Sequence, residues 1–303
     1  MMAKARGKHA ALWFMMLPGL LYLLLNNYFP MFGVIIAFKN LNYDLGIFRS
    51  EWVGFNNFKF LFATSDAVTI TRNTFLYNVV FITFNLVLSL AVALLLNEVR
   101  KRFFQSMYQS IILLPYLISF TIVGYLVYSF LSMEYGFLNK AILEPLGFEP
   151  IAWYLEPKKW PVILVLVNAW KYVGYSSIIY LAAMAGVSSE YYEAARVDGA
   201  SRWRQMINIT LPLIKPVIIV MLLLNIGRIF YADFGLFYQV PLNTGILFPT
   251  TNVIDTYVYR VLIQTGDVGM SAAAGMFQSI VGFVLVFSVN QLIRKVDSEN
   301  ALF

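Results

Sequence analysis

The sequence predicts an all-α membrane protein with six transmembrane helices, and three observations carry that expectation. Of the 303 residues, 60% are hydrophobic and only 13% are charged, a balance with too little polar surface to cover a soluble globule. Apolar runs such as Phe75 to Leu96 continue for about the 20 residues a helix needs to cross a bilayer. Basic residues cluster in alternate connections, as they do when successive loops face opposite sides of a membrane. Lipid offers the backbone no partners, so only helices or a closed barrel can span it. Barrel strands would be short and would alternate with polar residues, which these runs do not.

The apolar runs place spans near 11–37, 75–96, 108–131, 161–185, 213–236 and 270–293. The first follows Lys4, Arg6 and Lys8 in the manner of a secretory signal, but passes Pro18, Asn26 and Pro30 with no small-residue cleavage site. It reads as an uncleaved, kinked anchor. The chain then divides into an anchor with its extracytoplasmic loop, 1–74, and a core of five helices, 75–303, that contains a loop at 187–212. The N-terminus, Arg100-Lys101-Arg102, the loop with Arg196, Arg202 and Arg204, and Arg294-Lys295 all fall on one side. That side is expected to be cytoplasmic, with both termini on it.

Other classes are excluded by what the chain carries. It has no cysteine, so disulfides, thiolate metal sites and cysteine nucleophiles are absent. The formal charge of +6 would suggest nucleic acid in a soluble domain, but in a membrane chain basic residues mainly set orientation. Trp52, Phe55, Phe58, Phe60, Trp153, Tyr154 and Trp160 enrich the outer loops. They read either as an interfacial aromatic belt or as a docking face for an external binding protein.

Between spans four and five, Glu193-Ala194-Ala195-Arg196-Val197-Asp198-Gly199-Ala200 continues through Trp203, Met206 and Ile207 to Ile209-Thr210-Leu211-Pro212 and Pro216. Ser188 or Ser189 caps a first helix with Glu190 in its first turn, and Gly199 ends it. Asp198 or Ser201 caps a second, which Pro212 is expected to stop. On helix physics alone this is an amphipathic connector lying on the membrane.

The full spacing, Glu-Ala-Ala, two residues, Asp-Gly-Ala, then Ile-Thr-Leu-Pro, resembles the signature loop of binding-protein-dependent ABC import permeases. Further stretches resemble their oligosaccharide and polysaccharide branch: Phe38-Lys39-Asn40, Trp52 to Phe58, Leu95 to Arg100, Ile179 to Ala183, Asp255 to Arg260 and Phe277-Gln278-Ser279. The resemblance implies the type I ABC importer permease fold, with a cytoplasmic coupling-helix pair between spans four and five. It implies Glu193, Ala194, Ala195, Asp198, Gly199, Ala200 and Pro212 as the ATPase-coupling loop, with Met206 where the family usually has phenylalanine. It also implies partners: a second permease, two ATPase subunits that bind ATP and Mg, and an extracytoplasmic solute-binding protein. Alternating access driven by ATP would move a sugar through the pair. This chain has no phosphate loop of its own, since Gly7-Lys8 is followed by His9.

Polar groups inside spans are costly and mark candidate pathways. Span four offers Asn168, Trp170, Lys171 and Tyr175, and span five offers Asn225, Arg228, Tyr231 and Asp233. Trp170, Tyr175 and Tyr231 suit the apolar face of a sugar ring, or alternatively packing against a partner. Lys171 and Arg228 suit an acidic sugar such as a uronate, or Arg228 pairs with Asp233. Ser271, Gly275 and Ser279 form a small-residue stripe for helix packing. An ion-coupled secondary transporter is the main rival. It has little to work with, because the one histidine, His9, lies outside the spans and Asp233 is the one acid well inside. No zinc-ligand pattern or nucleophile with a histidine base supports an enzyme.

Overall fold

A computed structural model describes residues 2–59 and 65–296, most of them helical. The long elements are α1 (Met2–Leu23), α2 (Ser65–Asn97), α3 (Arg102–Leu117), α4 (Phe120–Leu131), α5 (Trp160–Ala185), α6 (Ser189–Val197), α7 (Arg202–Gln205), α8 (Leu211–Ile226), α9 (Phe234–Gln239), α10 (Ile254–Thr265) and α11 (Val268–Val296). Five segments are long and apolar enough to cross a membrane: Leu12–Phe38, Asp66–Asn97, Pro157–Ala185, Arg202–Ile226 and Val268–Lys295. The bent pair α3 and α4 meets the same length and composition only when its two halves are taken together.

Two spans depart from expectation. The third, expected unbroken over 108–131, breaks at Ile118 and Ser119, and its halves lie at 96° to each other. Ser119 is extended, and its hydroxyl accepts a hydrogen bond from the Ile122 N–H, so it caps a new helix. The fifth, expected over 213–236, ends at Ile226. Residues 227–230 turn and 231–233 are irregular before α9 begins.

Three π-turns occur among the described residues, at Leu24–Tyr28, Leu138–Leu143 and Met206–Thr210. Each ends two residues before a proline: Pro30, Pro145 and Pro212. A proline ring clashes with the carbonyl four residues back, which here falls inside the widened turn and is displaced. Pro212 therefore does not stop the second loop helix as expected. The helical run continues from Arg202 to Ile226.

The chain forms two compact units, Met1–Thr64 with Val258–Phe277, and Ser65–Tyr257 with Gln278–Phe303. In the first, β1 (Lys39–Asn40) pairs antiparallel with β2 (Glu51–Trp52), Lys39 opposite Trp52. The Lys39 ammonium is buried, donating to the Phe48 and Ser50 carbonyls at 2.8 and 3.2 Å, and lies 4.8 Å from the Trp52 ring. Phe38, Phe55 and Phe58 cluster at 5.5–5.7 Å, and Asn57 donates to the Ala37 and Lys39 carbonyls at 3.0 and 2.9 Å. The Phe38 to Asn40 and Trp52 to Phe58 stretches are thus one folded loop. Phe60, read with these aromatics, lies outside the described residues.

The second unit is built on α2 against α5. One core joins Tyr77, Phe81, Trp160, Leu164, Leu236 and Phe237. A second joins Ala93, Leu96, Tyr180, Leu181, Met184 and Ile214. Bare backbone allows the closest approaches: a Cβ on Gly174 would overlap the Ile112 carbonyl, tying α5 to α3. One on Gly124 would stand 2.7 Å from the Gln239 carbonyl, tying α4 to α9.

Candidate functional site

Between the two cores of the second unit lies a cavity of about 500 Å³. Helices α2, α5 and α8 supply most of its walls, with Tyr116 from α3, and helical phase explains which residues of α2 and α5 face it. From α2 come Asn78, Phe81, Ile82, Asn85, Leu86 and Ser89, and from α5 come Asn168, Tyr172, Tyr175, Ser176 and Tyr180. Both sets follow three- and four-residue steps along one helix face. Met221, Leu222 and Asn225 of α8 add a third wall, continued by Arg228, Tyr231, Ala232 and Asp233. Irregular backbone at membrane depth is tolerated where it lines such a cavity.

That irregular crossing is held by its neighbours. Asp255 accepts the Ala232 N–H at 2.8 Å and the Gln278 amide at 3.2 Å, while the same amide donates to the Phe230 carbonyl at 2.7 Å. Asn78 donates to the Tyr231 carbonyl at 3.2 Å, and the Tyr231 and Ser279 hydroxyls lie 2.7 Å apart. Asp233 caps α9, accepting the Leu236 N–H at 3.2 Å, and its other oxygen accepts the Tyr172 hydroxyl. The Asp255 and Gln278 stretches singled out in the sequence thus serve this crossing.

The cavity's asparagines, Asn78, Asn85, Asn168 and Asn225, each take part in a hydrogen bond. Asn85 donates to Asn168 at 2.8 Å, yet its own Oδ1 is buried without a partner. Tyr116 and Tyr175 stack with centroids 4.4 Å apart and planes 12° from parallel. Arg228 is exposed toward this space and makes no ion pair among the described residues.

Of the pathway residues expected from sequence, Asn168, Tyr175, Asn225, Arg228 and Tyr231 line the cavity. Trp170 does not: at 100° per residue it lies about 200° around α5 from Asn168, on the outer face, and it is exposed. Lys171 does not either. It is buried, and its ammonium lies 3.2, 3.1 and 2.5 Å from the carbonyls of Pro115, Tyr116 and Ile118. An Arg228–Asp233 ion pair is not formed among the described residues. Sequence reasoning missed Asn78, Asn85, Tyr116 and Tyr172. The signal available for the first two was a pair of amides seven residues apart on one face of an apolar run.

Away from the cavity, the loop pair is well defined. The Ser188 hydroxyl accepts the Glu190 N–H and the Ser201 hydroxyl accepts the Arg204 N–H, so Ser201 rather than Asp198 caps the second helix. The Ala200 N–H bonds the Ala195 carbonyl at 2.8 Å and the Gly199 N–H bonds that of Arg196 at 3.1 Å, with Gly199 at φ +74°. These two bonds form a Schellman motif. No residue of α6 is buried, and Val197 and Trp203 are 88% and 68% exposed. Arg202 pairs with Glu98 beside the loop, and the Tyr192 hydroxyl lies 3.0 Å from that of Thr210.

A polytopic helical protein enclosing a polar cavity, with an exposed helix pair in one loop, has the architecture of a permease. The chain belongs to the family of binding-protein-dependent transport system inner membrane components, which residues 85–298 match. It is 40% identical over 289 residues to Protein LplB of Bacillus subtilis, covering 95% of this chain and 90% of that one. It is 38% identical over 288 residues to the polygalacturonan/rhamnogalacturonan transport system permease protein YteP of the same organism, covering 95% and 89%. Among solved structures it superposes, with a TM-score of 0.86 and 32% identity over 98% of this chain and 99% of that one, on a chain of a bacterial ABC transporter involved in import of the acidic polysaccharide alginate. A second match, from the alginate transporter in complex with an alginate pentasaccharide-bound periplasmic protein, has a TM-score of 0.85 at 32% identity.

Proposed function

We propose that this chain is one membrane-spanning half of an ATP-driven importer of oligosaccharides. The observation that carries the reading is the cavity of about 500 Å³. Amides, hydroxyls and a stacked tyrosine pair line it, which suits a solute presenting both hydroxyls and an apolar ring face. A second permease completes the passage. Two ATPase subunits, which bind ATP and Mg, dock on α6 and α7 through Glu193 to Ala200, and an extracytoplasmic protein delivers the sugar. Both termini and the loop pair then lie on the cytoplasmic side. The bare, exposed α6 supports this, since a short helix with no buried residue gains stability from docking rather than from its own chain. Alternating access follows: ATPase closure moves the loop pair, Pro212 transmits that movement into α8 along one helical run, and the cavity changes the side to which it opens.

A second observation favours acidic sugars. Arg228 faces the cavity with no ion partner among the described residues, whereas Asp233 is engaged by Tyr172 and its own helix cap. A cation that faces a cavity inside a membrane-spanning chain without an ion partner favours an anionic ligand there. Relatives named for polygalacturonan and alginate agree with this. The test is an uptake screen, in membranes carrying the chain with its co-expressed partners, of labelled neutral and uronate-containing oligosaccharides. Wild type is expected to take up the acidic set, and Arg228→Gln to lower that uptake by about tenfold, the loss of one charge-assisted bond. Acidic uptake unchanged in Arg228→Gln would remove the acidic reading. Uptake of no oligosaccharide would remove the sugar reading.

A further inference from the structure

We infer that Lys171 is a positioning residue: its ammonium clasps the C-terminal carbonyls of α3 and thereby holds Tyr116 in stack with Tyr175. This rests on the cavity being the sugar path proposed above.

Three features converge. The break at Ile118 and Ser119 takes most of the N–H groups that would have continued α3 away from its last carbonyls, although Pro115 still accepts the Ile118 N–H at 3.3 Å. Lys171, buried on the face of α5 that meets α3, places Nζ 3.2 Å from Pro115 O, 3.1 Å from Tyr116 O and 2.5 Å from Ile118 O. A cation at a helix C-terminus also complements the helix dipole. An ammonium has three donors, and three carbonyls take them. None is left for a substrate carboxylate, so Lys171 cannot share the anion-binding part assigned to Arg228. The Phe120 ring, 4.7 Å from Nζ, closes the other side.

The clasp bears on the cavity because Tyr116 lies between the two places where α3 and α5 are pinned. On one side, Gly174 admits the Ile112 carbonyl with no room for a side chain. On the other, Lys171 holds residues 115–118. Tyr175 follows Gly174 directly. The two rings are therefore fixed 4.4 Å apart and 12° from parallel, a flat wall against which a sugar ring can lie. Without the ammonium, Gly174 still keeps the helices together, but the end of α3 is free to fray and Tyr116 to turn.

The test uses the assembled importer and the sugar that wild type takes up best in the screen above. Lys171→Met is expected to raise KM by about tenfold with kcat within about twofold, and Lys171→Arg to restore most of the loss. In a Tyr116→Ala background, Lys171→Met is expected to add no more than about twofold, because both act through one ring. A second arm needs no sugar. The chain has no cysteine, so Tyr116→Cys with Tyr175→Cys can be joined by a short thiol cross-linker, and Lys171→Met is expected to slow that joining. Additive effects on KM, a fall in kcat alone, or cross-linking at the wild-type rate would each overturn the inference. Slowed cross-linking with KM unmoved by Tyr116→Ala would keep the clasp and reject the cavity as the sugar path. If Lys171→Met does not accumulate in the membrane, Lys171→Gln, which keeps a donor, carries the same readouts.

Discussion

Gly174→Val is expected to abolish accumulation of the assembled permease. A Cβ at this position overlaps the Ile112 carbonyl, and the next nearest atoms, the Ile112 carbon and the Leu113 nitrogen, are also backbone. Overpacking costs about 1–3 kcal/mol where neighbouring side chains can give way, and here they are replaced by two helix backbones that cannot. The strain falls where α3 meets α5, so relief requires the helices to separate, opening the cavity wall and exposing the Lys171 clasp. Size-exclusion profiles of detergent-extracted complex are the measurement, and a wild-type profile for Gly174→Val would show that α3 and α5 are not in this contact. Gly275, where nothing lies within 4 Å of an added Cβ, is the control, and Gly275→Ala is expected to be silent.

Gly199→Val is expected to leave the complex's membrane spans intact and yet cut ATP-dependent uptake by more than tenfold. Gly199 sits at φ +74° and closes the Schellman turn through the bonds to Ala195 and Arg196. A left-handed residue other than glycine costs roughly 1–2 kcal/mol, and a β-branched one more. Because α6 buries none of its residues, little else fixes its angle to α7, so the strain is relieved by re-aiming the helix. The proposed docking on the ATPase is then expected to fail while the cavity, far along the chain, is untouched. The check is a split between binding and coupling: sugar-loaded binding protein still associates with the complex, but the ATPase subunits no longer co-purify. Gly199→Asn, which tolerates the left-handed region, is expected to recover most uptake.

Why some of this was legible in the sequence and some was not has a physical basis. Spans are set by sustained hydropathy, and the apolar runs located the five long segments and the bent pair α3 and α4. Breaks within an apolar run leave hydropathy unchanged, so neither the 96° bend at Ile118 and Ser119 nor the end of the helix at Ile226 shows in it. Pro212 was misleading for a related reason: the π-turn over Met206–Thr210 absorbs the ring, and nothing in residue type distinguishes a proline that ends a helix from one that widens it. The Glu-Ala-Ala to Gly-Ala spacing was legible because it is local: Ala195, Gly199 and Ala200 are the positions a Schellman turn uses.

In the cavity, residues of α5 and α8 were found because polar groups in spans are rare. Asn78 and Asn85 were hidden by the length of the apolar run around them, and Tyr116 by the unrecognised end of α3. Phase would have excluded Trp170, since Asn168, Tyr172 and Tyr175 share a face that residue 170 opposes. Lys171 could not be placed without knowing where α3 ends.

We propose that this chain moves sugar only as half of a permease pair whose energy comes from other chains. The most direct test is sugar uptake into proteoliposomes reconstituted with this chain, its second permease, the ATPase subunits and the loaded binding protein. Uptake that requires ATP and every one of these components is the expected result. ATP hydrolysis by the purified chain alone, or uptake by it driven by a proton or sodium gradient without ATP, would contradict the claim.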